Sequence, residues 1–277
     1  MGRLAFHFSL FVACVGVVIF GAQAAAAACG DDALGVSRIV EIDASPGLRV
    51  GSIQYGHPLP LRPKEVVLTF DDGPLAGSTG RVLDALAEEC VKATFFLVGR
   101  MARAYPALAR RIEAAGHTIA AHSHTHPYHM KNLPVETAKQ DIERGFEAIS
   151  AALGDNAEPA PFFRYPGLSR TAALDAYLVS RGVAIFSADV VGDDWQGIGA
   201  EQILDRVLRR LQRRNGGIVL LHDIKPATAD MVPALLRQLK AGGYKIVHIV
   251  SKRGGVQVAL RGGLYEAADA VDAFPAP

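Results

Sequence analysis

The sequence predicts an α/β fold, a distorted (β/α) barrel of about seven parallel strands in one large domain. Seven short runs rich in β-branched and aromatic residues alternate with segments of helical periodicity, which specifies a parallel sheet wrapped by helices. The alternation holds from Val66 to Val250 with no linker and no short-period repeat. The informative polar residues recur where the runs end, and a barrel gathers those ends on one rim.

Residues 1–28 read as a secretory signal peptide outside the fold. Arg3 gives a short positive start, Phe8 to Phe20 is almost wholly apolar, and Ala24 to Ala28 supplies small residues for cleavage. The run is too short and wrongly flanked for a stable span, so the mature chain is expected to be exported, periplasmic or secreted. An uncleaved anchor is the alternative. A lipid-modified Cys29 is disfavoured because Ala26 stands where leucine is usual. Cleavage removes Cys14 and leaves Cys29 and Cys90. In an oxidising compartment that pair can bridge; otherwise Cys90 is a buried helical thiol and Cys29 a free one. Both readings stay open.

Residues 29–64 are an N-terminal extension. Within it, Ser37 to Ile53 alternates apolar residues around Pro46-Gly47, the pattern of a hairpin or of loose strands covering one end. The domain proper, 65–250, opens with Glu-Val-Val-Leu-Thr-Phe, a buried strand over Val66–Phe70 that Gly73-Pro74 terminates. Further strands are expected at Ala93–Val98, His117–Ala121, Pro161–Arg164, Ala184–Ser187, Ile218–His222 and Lys245–Val250. Helices are expected at Arg81–Cys90, Pro106–Ala115, Val135–Leu153, Ala172–Arg181, Ala200–Arg214 and Thr228–Ala241, with glycines such as Gly116 and Gly182 closing them. Residues 251–277, Gly- and Ala-rich, read as a loosely held tail.

Half of the 277 residues are hydrophobic, enough for one large core. Lys plus Arg total 29 against 28 Asp plus Glu, so nothing suggests nucleic acid or another polyanion as partner. The densest basic stretch is Arg206, Arg209, Arg210, Arg213 and Arg214. It is interleaved with Ile203, Leu204, Val207, Leu208 and Leu211 at helical spacing, which reads as the wet face of an amphipathic helix.

The polar groups at the strand ends carry the functional signal. The first strand ends in Asp71-Asp72, the third in His122-Ser123-His124-Thr125-His126, the fourth in Arg164-Tyr165-Pro166-Gly167. The fifth is followed by Asp189 and Asp193-Asp194-Trp195, and the sixth ends in His222-Asp223. Alone, an Asp-Asp turn is an ordinary solvated corner, and a polar loop with two histidines is equally common. Together on one rim they suggest a metal site. His122 and His126 are four apart, so one helical turn presents both imidazoles on one side. Zinc commonly takes two imidazoles and a carboxylate and leaves a position for water; Asp72 is the natural third ligand. Ser123 excludes the His-Glu-x-x-His protease motif. His124 reads as surface or substrate-facing, and His117 and His129 as structural.

The segments TFDDGP, HSHTH, RYPG, DVVGDDW and LLH stand in the order and spacing of the polysaccharide deacetylases of carbohydrate esterase family 4. From about Val66 to Val250 the chain resembles their NodB-like domain. The resemblance implies a divalent metal and hydrolysis of N- or O-acetyl groups on polysaccharides. The expectation here is N-acetyl removal from a cell-wall or extracellular polysaccharide by a monomer, with Zn2+ read from the ligand type and Co2+ or Ni2+ fitting the same site. The resemblance also implies Asp72, His122 and His126 as metal ligands, Asp71 as the base that activates water, and Arg164 as the partner that aims the base. It likewise implies His222 as the general acid and Asp194 as the carboxylate orienting it. Trp195, Leu220 and Tyr165 belong to the same motifs as pocket residues, and Gly167 would give a backbone donor to the oxyanion. A zinc amidase on another amide, or a carbohydrate-binding protein with an inactive site, are the alternatives. Two positions depart from the family. Gly167 stands where tyrosine or phenylalanine is usual, which predicts a more open pocket wall, and Val191 stands where an acidic residue is common.

Overall fold

A computed structural model describes residues 2, 29–30, 32–44, 47–56, 58–154 and 157–252. The signal-peptide reading and nearly all of the predicted tail lie outside them. Ten strands and seven helices follow in the order β1 (Arg38–Ile42), β2 (Arg49–Val50), β3 (Glu65–Asp71), α1 (Ser78–Glu88), β4 (Thr94–Leu97), α2 (Gly99–Ala104), α3 (Pro106–Ala114) and β5 (Thr118–Ala121). Next come α4 (Val135–Leu153), β6 (Phe162–Phe163), α5 (Ala172–Ser180), β7 (Ala184–Phe186), β8 (Val190–Val191), α6 (Ala200–Arg214), β9 (Gly217–His222), α7 (Pro226–Ala241) and β10 (Lys245–Ser251). All seven expected strands and six expected helices are present, and Gly116 and Gly182 take positive φ of 75° and 66°.

Every ladder is parallel. β3 is the hub: β9 pairs along Val66–Asp71, β4 along Thr69–Asp71, and β10 at Glu65 and Val66. The sheet continues from β4 through β5 and β6 to β7. The run leaving β7 then bends and returns as β8 beside β9, so the ring closes through one bent segment. Asp189 pins that bend: its carboxylate accepts from Ile218 N at 2.8 Å and from Ser52 N at 2.8 Å. This is a distorted barrel.

The extension departs from the hairpin expectation. β1 pairs with β10 and β2 with β7, both in parallel, so each strand adds to a different part of the sheet. Arg38 anchors β1 at the foot of β3 by a fork onto Glu65, Nε to Oε1 at 2.7 Å and Nη2 to Oε2 at 2.6 Å. Cys29 and Cys90 are joined in a disulfide 61 residues apart in sequence. Cys90 lies just beyond the C-terminal end of α1, which by topology is the barrel end opposite the strand termini that carry the motifs. Loop-closure entropy gives such a crosslink at most about 4 kcal/mol. Reduction is therefore expected to lower the denaturation midpoint, and an unchanged midpoint would refute that contribution.

Strand alternation sorts the core in two. Val66, Leu68 and Phe70 belong to an outer cluster with helix residues such as Leu83, Leu86 and Leu235. Val67, Phe96, Ala120, Phe162 and Ile218 form a separate inner cluster. Two residues on, the same inner register reaches His122 from Ala120 and Arg164 from Phe162, and four residues on it reaches Asp71 and His222. The period of two that fills the barrel with apolar side chains thus delivers polar ones to its mouth.

Candidate active site

Asp71 is the last residue of β3, level with His222 in the ladder, and is 2% exposed. Its neighbour would face the other way in a continuing strand, but Asp72 leaves the strand with φ 78°. That turn brings a second carboxylate to the same mouth. The Gly73-Pro74 bond that follows is cis. A side chain at Gly73 would run into the Asp223 carboxylate, whose oxygens lie 2.2 and 2.5 Å from where its Cβ would be.

His122 and His126 do come together, their ring centroids 5.0 Å apart, though not by a helical turn. Ser123 and His126 take positive φ of 64° and 57°, and the loop folds around Asp141 of α4. That buried carboxylate accepts from the backbone of His124 and Thr125 and from Thr125 Oγ1, and Ser123 Oγ accepts from His126 N at 3.0 Å. His124 is turned away from the site, its Nδ1 against Gly99 of α2. His122 Nδ1 is 2.7 Å from the Arg164 carbonyl, an acceptor that makes Nδ1 the protonated nitrogen and leaves Nε2 free as a ligand atom.

Asp72, His122 and His126 form one cluster with ligand atoms within 4.8 Å of each other. Asp72 Oδ1 lies 3.4 Å from His122 Nε2 and 3.1 Å from His126 Nε2. It is buried without a hydrogen-bond donor, a costly state for a carboxylate oxygen. A divalent cation resolves that cost and suits two imidazoles and a carboxylate, so the residues present fit a metal.

Beside the cluster, Arg164 is fully buried and reaches Asp71 Oδ1 from Nη1 at 2.7 Å. Thr69 Oγ1, the Ser187 carbonyl and the Phe186 carbonyl take its other donors, and its guanidinium lies 4.2 Å from the Phe96 ring centroid. Asp71 Oδ2 is 3.9 Å from His122 Nε2. Beside β3, at the end of β9, Asp194 is held by both strand and helix. It accepts from His222 N at 2.7 Å and from Thr228 Oγ1 at 2.6 Å, and its other oxygen meets His222 Nδ1 at 2.7 Å. Burial pushes the His222 imidazole down, but the Asp194 contact, with the charges of Asp72 and Asp71, carries it up to about 9. Trp195 stands edge-on to His222 at 5.6 Å, and Leu220 lies one inward step below it.

Two expected pocket residues sit differently. Tyr165 is 1% exposed and packs edge-on against Phe163 in the outer cluster, because just past β6 it continues the strand's alternation one step beyond the inward Arg164. Gly167 is at the mouth, yet its wall is closed by Tyr128: a Cβ at Gly167 would lie 3.2 Å from the tyrosine ring. Sequence reasoning assigned no role to Asp223, which is fully buried and whose acid is carried up to about 7 by burial and by Asp72. Arg206 and Arg210 read in the sequence only as part of a wet helix face. Two of the supposedly wet arginines fold back onto Asp193 Oδ2, at 3.0 and 2.7 Å, and Arg210 also reaches the Val191 carbonyl. Their spacing of four was the available signal.

The family model described as polysaccharide deacetylase matches residues 59–185. A chitooligosaccharide deacetylase of Rhizobium leguminosarum is 37% identical over 164 residues, covering 58% of this chain and 72% of that protein. The chain belongs to the polysaccharide deacetylase family. Among other family members, a peptidoglycan-N-acetylglucosamine deacetylase of Listeria monocytogenes is 32% identical over 186 residues, 67% of this chain but 38% of the longer protein. The structure of a peptidoglycan deacetylase from Bdellovibrio bacteriovorus superposes with a TM-score of 0.70 at 33% identity, covering 78% of this chain and 59% of that one. The barrel described above is thus the fold of a deacetylase family.

Proposed function

We propose that this chain is an exported, zinc-dependent hydrolase removing N-acetyl groups from a cell-wall or extracellular polysaccharide. The observation that carries the reading is the presence of two prepared proton-transfer groups beside one metal-ligand cluster at one barrel mouth: Asp71 with its buried arginine and His222 with its buried carboxylate. Relatives named for chitooligosaccharide and peptidoglycan N-acetylglucosamine substrates favour an N-acetyl sugar. The disulfide supports export, since such bonds persist in oxidising compartments. Among the described residues no helix is long and apolar enough to cross a membrane.

Asp72, His122 and His126 would hold the ion, which when bound polarises the acetyl carbonyl and acidifies adjacent water. Asp71 takes a proton from the attacking water as its oxygen bonds to the carbonyl carbon. Arg164 fixes the carboxylate's position and keeps its charge partnered through the step. The Gly167 N–H donates to the developing oxyanion. His222, gripped at Nδ1, presents Nε2 to the sugar nitrogen and gives it a proton as the carbon–nitrogen bond breaks, releasing acetate and a free amine. Asp194 stabilises the imidazolium before that transfer. Leu220 and Trp195 flank the acetyl group with apolar surface.

Acetate release tests this, with the chain metal-stripped and then zinc-restored, on N-acetylglucosamine oligomers, peptidoglycan and acetylxylan. The expected result is loss on chelation and recovery with zinc on an N-acetyl substrate. Release that survives stripping, or no release with zinc bound, would overturn it.

A further inference from the structure

Two large aromatic side chains stand out of the rim, Trp195 at 43% and Tyr128 at 58% exposed. Leaving such a side chain in water forgoes about 1.5–3 kcal/mol of burial, which isolated surface aromatics do routinely. What sets Tyr128 apart is that it is held. It follows His126 by two residues, and Gly167 is its seat: a Cβ there would come within 3.0 Å of the Tyr128 carbonyl and 3.2 and 3.3 Å of two ring carbons. On another side its ring meets His129 edge-on, with centroids 5.0 Å apart. The chain beyond is tied down, with Met130 fully buried and Lys131 N donating to Ser169 Oγ at 3.1 Å. A ring seated against Gly167 and His129 and still 58% exposed has met part of the ordering cost of binding.

The position is as informative as the rigidity. Tyr128 flanks the cleft on the side of the histidine ligands, and Trp195 flanks it on the side of His222. The same mouth holds the carboxylates of Asp71, Asp72 and Asp194, and Arg164 is buried beneath it. With Arg164, a protonated His222 and a bound divalent cation beside them, those carboxylates leave no excess of negative charge at the mouth. Such a mouth suits a neutral ring with an apolar face and polar edges, which is the character of a pyranose.

We propose that Tyr128 is a sugar-stacking platform that receives the apolar face of a pyranose next to the one being deacetylated. This deepens the polysaccharide reading above and rests on it. The substrate chain then runs from Tyr128 to Trp195 across the reaction centre. Glycine at 167 leaves room for the tyrosine, because a Cβ there would crowd its carbonyl at 3.0 Å and its ring at 3.2 Å and force both to shift.

The test uses the zinc-loaded protein in an Asp71→Asn background, so that substrate is bound and turned over only slowly. Binding of the N-acetylglucosamine pentamer is read from Trp195, the chain's one tryptophan. Adding Tyr128→Ala is expected to raise Kd about tenfold, and Tyr128→Phe to leave it within about twofold because the phenyl face remains. The ring is largely exposed, so unfolding midpoints should match the parent's and separate binding from folding. The proposal is overturned if the alanine variant binds as tightly as the parent, if the phenylalanine variant binds as weakly as alanine, or if the parent shows no saturable change. Failure of the parent reading looks different: wild-type protein would release no acetate from any polymer while pentamer binding still depended on Tyr128.

Discussion

Replacing Asp71 with asparagine should lower kcat/KM by about 10²- to 10⁴-fold, the range general-base catalysis contributes, while zinc content stays at one per chain. The ligand cluster of Asp72, His122 and His126 does not use the Asp71 side chain, so metal retention separates loss of the base from loss of the site. A second effect should accompany the first. Arg164 is fully buried and Asp71 is its one carboxylate partner at 2.7 Å among the ion pairs of the described residues. Removing one member of a buried pair strands the other charge, typically at a cost of about 3–5 kcal/mol. Thr69 Oγ1 and two backbone carbonyls remain on the guanidinium and should hold the loss to the lower part of that range. The double variant Asp71→Asn/Arg164→Met should recover part of the unfolding midpoint and none of the activity. Zinc-restored activity in Asp71→Asn within twofold of wild type, measured well below its unfolding temperature, would remove Asp71 from the chemistry.

Asp194→Asn is the other large effect. His222 is carried above its ordinary value of 6.5 to about 9, against burial, chiefly by Asp194. A raised histidine is protonated below both values, so in the wild type the acid is available through neutral pH. The alkaline limb of kcat should fall as pH rises through about 9. A bound divalent cation works against the contributions of Asp72 and Asp71, which leaves Asp194 as the fixed cause. With asparagine there, burial prevails and the imidazole is neutral at pH 7. The limb should then move to lower pH by more than a unit, and kcat at pH 7 should fall about a hundredfold. The linkage has the same sign: stability from this pair is complete below about 6.5 and is lost as pH climbs through about 9. That loss should be absent in Asp194→Asn. An alkaline limb in the same place in both proteins would assign the acid to another group.

The barrel was legible because its strands are buried on both faces and its helices on one stripe, so both periods are written in the side chains from Glu65 to Val250. Asp71, Asp72, His122, Arg164 and His222 were legible because each sits at or beside a strand's end. The manner in which His122 and His126 meet was not, since it depends on positive φ at Ser123 and His126 and on Asp141 in the following helix. A hydrophobic pattern carries no trace of either. α2 is six residues long and follows β4 after one residue, too short for a period to register. β1 and β2 add in parallel beside β10 and β7, far apart in sequence, and parallel additions leave no turn signal between the paired runs. Tyr165 failed for a reason of parity: beside an inward Arg164, it faces out. The open wall expected at Gly167 overlooked that Tyr128, on a loop far earlier in the chain, could fill it.

The disulfide also has a directional consequence. Cys29 is fastened to the barrel's base, where α1 ends, whereas the mouth opens at the far pole. A bead, or a bilayer, to which the chain is tethered from the Cys29 side therefore meets the base, and the mouth looks outward. Long polymers would be worked at arm's length from the support, so immobilisation through that side should preserve access for substrates too large to diffuse beneath the protein.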